Sequence, residues 1–147
     1  MDHWAYPGLV IMRELGMAVG RYDNDYMLDD PIAHRWALQN RLNGLMRIIN
    51  ERTARKNEMQ VPATEVWLNT DEITVGLLLS TVAEAASLGE RRFTDSKEAK
   101  EFLFDIGILG DNVLQYYTEH NVIATNGQLM CILGALYNVF MSGETSN

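Results

Sequence analysis

One cysteine and three histidines scattered over separate segments are all this 147-residue chain offers of the side chains that build crosslinks and metal clusters. A lone Cys131 excludes an intramolecular disulfide framework and the common zinc sites. His3, His34 and His120 form no His-x-x-x-His pair, so no metal site is expected through histidine. There is no Gly-x-Ser-x-Gly elbow and no phosphate-cradling glycine loop. Nor does a basic region followed by an apolar run open the chain, so no signal peptide is expected and a cytoplasmic, reducing setting is the default.

Charge is missing in a telling place. Asn121 to Gly143 holds no Asp, Glu, Lys or Arg, although charged residues make up 22% of the chain. Its apolar part is too short to read as a membrane span, which takes about 20 predominantly apolar residues. It predicts a helix buried on nearly all sides, inside the monomer or between subunits. Cys131 lies within it, where burial raises a thiol's pKa and leaves it inert.

The net charge of −8 is also uneven. Residues 1–60 hold eight acids and eight bases. Residues 61–147 hold twelve acids against Arg91, Arg92, Lys97 and Lys100, and 4 − 12 gives the whole excess. That second half repels phosphate backbones, so nucleic acid is an unlikely partner.

What is present reads as helix. Leu9, Met12, Leu15 and Val19 share one side of a first segment running from Leu9 to Val19. Asp29 or Asp30 with Pro31 predicts the start of a second helix that ends near Asn57. Its apolar arc is Ile32, Leu38, Leu42, Leu45, Met46 and Ile49. Residues 59–69 are the one strand-like stretch and read as an extended connector anchored by Trp67. A third helix opens at Asn69-Thr70-Asp71-Glu72, spaced like a capping box, and stops at Gly89. A fourth runs from Thr94 or Asp95 to about Thr118, with Gly107 and Gly110 inside it for close packing. Its broad stripe is Phe102, Leu103, Ile106, Leu109, Val113, Tyr116 and Tyr117, while Phe104 and Ile108 make a second apolar face. The last helix, Gly127 or Gln128 to Met141, carries a small-residue stripe of Cys131, Gly134, Ala135 and Asn138 that lets another helix approach closely.

Three candidate sites emerge. The loop Asp23-Asn24-Asp25-Tyr26-Met27-Leu28-Asp29 starts like a calcium loop, but Leu28 stands at the sixth position and His34 at the twelfth. Arg41, Arg52 and Arg55, with Arg47 and Lys56 nearby, cluster within roughly 60° on the second helix. That is the wet face of a helix, a patch for the acidic half of another copy, or a contact for the phosphates of a nucleic acid, although the aromatic stacking residues expected beside such a contact are missing. Finally, Glu84 is the lone charge on the third helix, and after the turn Glu90-Arg91-Arg92 comes Leu109-Gly110-Asp111.

Residues 80–117 in this order resemble the all-α nucleotide pyrophosphohydrolases of the MazG-like group. The resemblance implies a magnesium-bound nucleotide held through Glu84 and Asp111. Thr81 and Ile108 depart from the family's Glu-x-x-Glu and Glu-x-x-Asp pattern, leaving two of four ligands, too few for the oxygen shell magnesium demands.

The reading is therefore one all-α domain, a bundle of about five helices with more apolar faces than a lone copy hides. It is expected to act by association, as a homo-oligomeric interaction, assembly or adaptor protein without catalysis, cofactor or membrane. A small virion component, a phage-encoded inhibitor or a subunit of a bacterial complex would fit. Phe104, Ile108, Leu129, Met130, Leu133 and Tyr137 are expected in or beside a contact between chains. The alternative is a degenerate nucleotide-binding protein built around Glu84 and Asp111.

Overall fold

The computed structural model describes residues 3–17, 28–57 and 65–145, apart from the side chains of 54–57 and 143–145. Among the described residues there are five α-helices and no strands. They are α1 (Tyr6–Glu14), α2 (Trp36–Asn57), α3 (Val75–Ala86), α4 (Ser96–Asp105) and α5 (Asn126–Thr145), with a 3-10 turn at Leu114–Tyr117. Residues 23–27 of the calcium-like loop and the side chains of Arg55 and Lys56 fall outside what is described, while Leu28 is buried and Asp29 lies 2.7 Å from His3 Nε2. Of the 59–69 connector, residues 65–69 are described; they form no helix or strand.

The charge-free helix is the axis of the bundle. α5 packs against α1, α2 and α3, and α4 lies on the far side of α3. Leu129, Met130, Ile132, Leu133 and Leu136 are fully enclosed by this one chain. The predicted arc of α2 is the face it buries: Leu38, Leu42, Leu45, Met46 and Ile49 all lose their exposure.

These burials correct part of the expected contact between copies. Ile108, Leu129, Met130 and Leu133 face the chain's own core, so they have no surface to offer a second molecule. The close-approach stripe on α5 receives α1 instead. A Cβ added at Gly8 would sit 2.6 Å from the Cys131 Cα, and one at Gly134 would sit 2.7 Å from the Gly8 Cα. The two backbones touch, with no room for a side chain on either.

Helix ends differ from expectation for identifiable reasons. Pro31 does not begin α2. It pairs with Thr125 in an isolated bridge, and the Ile32 N–H donates to the Ala124 carbonyl at 2.8 Å. α3 starts at Val75, not at Asn69, because Thr74 is the cap: its hydroxyl accepts the Leu77 N–H at 3.1 Å. α5 opens with a reciprocal capping box. The Gln128 N–H donates to Thr125 Oγ1 (3.1 Å) while the Thr125 N–H donates to Gln128 Oε1 (2.8 Å).

Gly107 brings the largest correction. It adopts φ +88° one residue beyond the C-cap of α4, and the Ile108 N–H reaches back to the Leu103 carbonyl at 2.9 Å. The Gly107 N–H bonds the Phe104 carbonyl at 3.1 Å, completing a Schellman stop. So Gly107 terminates α4 and does not serve close packing within it. Phe104 and Ile108 no longer share a face, and Asp111 is not on a helix.

Two outcomes check this architecture. Gly8→Ala and Gly134→Ala each force the α1–α5 crossing apart and should cost about 1–3 kcal/mol in urea melts, the usual penalty of overpacking. Asp71 accepts from the Arg35 backbone N–H (3.1 Å) and from Arg35 Nη1 (3.2 Å). The backbone bond first, then the Arg35 charge, holds its carboxyl below the ordinary 3.8. A depressed carboxyl contributes stability above its unfolded pKa and loses it as pH falls through the folded value. Asp71→Asn should therefore flatten the loss of melting temperature on acidification below 3.8.

Candidate functional site

The arginine group is occupied within the chain. Arg41 donates from Nε to the Met17 carbonyl (2.9 Å) and from Nη1 to the Ala37 carbonyl (2.9 Å), so it ties α2 to the end of α1. Arg52 donates to the Tyr137 hydroxyl and lies over its ring, fastening α2 to α5. Arg47 faces Glu65 at 3.7 Å, an exposed pair that contributes little. Arg41 and Arg52 are braces between helices, which leaves Arg47 as the solvated member.

Glu84 and Asp111 are not brought together. Glu84 borders a cleft with Trp67, Thr81 and Phe93 and stands 4.0 Å from Arg92. The neighbours of Asp111, Gly110 and Asn112, line a different cleft beside Trp4 and Pro7. Among the described residues no three His, Cys, Asp or Glu side chains gather closely enough to hold a metal ion. No helix among them is long and apolar enough to cross a membrane.

The structure does assemble a different group. Asp95 caps α4 by accepting the Lys97 N–H at 2.9 Å, which makes Ser96 the first helical residue. From there the Ser96 hydroxyl reaches His120 Nδ1 at 2.7 Å. The other ring nitrogen of His120 is 3.1 Å from the Tyr117 carbonyl. A carbonyl only accepts, so Nε2 carries a hydrogen, and in the neutral imidazole Nδ1 then presents its lone pair to the Ser96 O–H. A hydroxyl held against an imidazole that is itself oriented by a third group is the arrangement of a nucleophile with its base.

Backbone contacts fix this pair in place. The His120 carbonyl accepts the Gly76 N–H at 2.9 Å and the Val122 carbonyl accepts the Val75 N–H at 2.8 Å. Both are first-turn donors of α3 that would otherwise lack a partner. Gly76 also leaves room: a Cβ there would lie 3.2 Å from Ser96 Oγ. Ser96 and His120 open onto a cleft of about 710 Å³ whose walls include Lys97, Lys100, Glu101, Phe104 and Leu114. That volume lies within the range of small-molecule sites.

The sequence search for nucleophiles missed this pair. Ser96 and His120 are 24 positions apart and follow no local motif. Only the packing of α4 on α3, with the 3-10 turn folded back, makes them neighbours. Of the expected contact residues, Phe104 keeps 41% exposure at the rim of the cleft, and Tyr137 is half-buried under Arg52.

Compared with protein-family models, with curated proteins and with solved structures, the chain gives no match in any of the three. The likeness to the nucleotide pyrophosphohydrolases thus rests on residues 80–117 alone, and the geometry does not join its two acids.

Burial pushes the Cys131 thiol above its ordinary value, against a smaller opposing effect of the neighbouring Tyr117 hydroxyl. The thiolate is the reacting form, so iodoacetamide at neutral pH should modify the folded chain far more slowly than the chain in urea. Equal rates in the two states would show that Cys131 is neither enclosed nor perturbed.

Proposed function

We propose that the protein works by association, pairing with a second copy of itself through the outer face of α4 in an assembly or adaptor role. One observation carries this reading: Phe104, a large apolar side chain, stays 41% exposed on a helix whose same face carries Lys97, Lys100 and Glu101. At 100° per residue these four positions span an arc of about 100°. In an antiparallel pair related by a two-fold axis, Lys100 meets Glu101 of the other copy and Lys97 meets its Phe104. The face is self-complementary, as a symmetric contact requires.

Charge supports the same pairing. The second half of the chain holds only four bases, and two of them are Lys97 and Lys100. With Arg41 and Arg52 engaged inside the molecule, these lysines supply positive charge beside Phe104 to meet an acidic partner surface. Their pairs set register and partner choice, while burial of Phe104 supplies free energy. A ten-residue helix is roughly 15 Å long, so the contact is small and its formation depends on concentration.

Sedimentation at hundreds of micromolar protein should give twice the 16.7 kDa chain mass. Phe104→Glu should return the chain to a single copy with its helical signal unchanged, because an exposed side chain is worth within about 0.5 kcal/mol to the fold. A lone-chain mass for the parent protein, or an undiminished assembly in the variant, overturns the proposal.

A further inference from the structure

We propose that Ser96 and His120 form a catalytic pair for hydrolysis of small carboxylic esters in the cleft between α4 and the 3-10 turn. The inference is independent of pairing through Phe104, since every group it needs comes from one chain. Ser96 Oγ and His120 Nδ1 are 2.7 Å apart, within reach for direct proton transfer. The Tyr117 carbonyl fixes the tautomer from the far side of the ring at 3.1 Å and is a positioning group. It also offers its dipole to the imidazolium that forms during reaction, the part a carboxylate plays in the familiar triad.

The steps balance without any group from outside except water. Ser96 Oγ forms a bond to the ester carbonyl carbon as its proton passes to His120 Nδ1, and the carbonyl π pair moves onto oxygen. That oxyanion develops in a cleft lined by Lys97 and Lys100 as well as by Asp95 and Glu101, and the lysines are the groups there that favour negative charge. Its collapse breaks the bond to the alcohol oxygen, which leaves with the proton from Nδ1. Water then adds to the acyl-serine with Nδ1 as base, and release of the carboxylic acid restores the pair. Phe104 and Leu114 provide an apolar wall for the acyl or alkyl portion, and the volume of about 710 Å³ limits the substrate to a small molecule.

An alkyl fluorophosphonate tests this directly, because an activated serine displaces its fluoride and keeps the phosphonyl group. The full chain should gain one adduct, mapped by peptide mass spectrometry to Ser96. Ser96→Ala should abolish it. His120→Gln keeps the backbone carbonyl that accepts from Gly76, and should slow labelling by at least about a hundredfold, the usual contribution of a general base. Hydrolysis of p-nitrophenyl butyrate should fall in parallel. Labelling of the parent chain requires no variant to fold, so absence of a Ser96 adduct in protein that melts cooperatively overturns the proposal. So does an adduct confined to other residues, or a His120→Gln rate equal to that of the parent. Labelling and hydrolysis are read on dilute protein, where so small a contact is dissociated, so loss of pairing and loss of catalysis are separately visible.

Discussion

The backbones of α1 and α5 touch at Gly8 and Gly134, and much of the molecule follows from that contact. With no side chain at either position, α1 lies flat on α5 and delivers Leu9 and Met12 to the core. Its approach carries Trp4 onto Tyr116, where the two rings stack with centroids 4.1 Å apart and planes 2° from parallel. Trp4 also meets the edge of Tyr117, whose hydroxyl donates to the Gln128 carbonyl at 2.7 Å. The 3-10 turn is thereby clamped between α1 and α5. His120 leaves that turn three residues after Tyr117 and bonds its carbonyl, so the cleft inherits its geometry from a glycine contact on another helix.

Residues 120–126 convert that clamp into a fixed direction. His120 and Val122 accept from the first turn of α3, the Ala124 N–H donates to the Ile73 carbonyl at 2.8 Å, and the Asn126 N–H donates to the Asp30 carbonyl at 2.9 Å. Each bond adds only about 1 kcal/mol net, but leaving a buried member unpaired costs more than that. The segment therefore has one way to run. Burial does not account for its lack of charge: Ala124 and Asn126 are buried, while Asn121, Val122 and Ile123 stay exposed, and the segment is held by its backbone groups.

Periodicity made the bundle legible. The arc of α2, the two-sided burial of α3 and the enclosure of α5 follow from apolar residues at helical spacing, because burial is what that spacing encodes. The ends were less legible. Leu109, Val113, Tyr116 and Tyr117 continue the rhythm of α4, so Gly107 reads as a packing position. A Schellman stop and a 3-10 turn bury the same residues with a different path. Pro31 beside two aspartates is as good a start for a helix as for an extended pair with Thr125, and only the partner strand of backbone decides. The Ser96–His120 pair left no trace at all, since neither residue sits in a motif and their proximity is wholly tertiary.

The stop at Gly107 also reshapes the question of surplus apolar surface. Had α4 continued to Thr118, Phe104 and Ile108 would stand one turn apart on a single exposed stripe, broad enough for a large contact. The turn instead rotates Ile108 and Leu109 inward, where they are 3% and 1% exposed, and leaves Phe104 outside among Lys97, Lys100 and Glu101. For the pairing proposed above, one aromatic ring inside a charged frame would give modest affinity but strict register, because misaligned copies oppose like charges. The same frame stands at the mouth of the cleft that holds Ser96 and His120. If two copies pair across α4 as proposed, their contact borders that cleft without supplying any group to it, because Ser96, His120 and Tyr117 all belong to one chain.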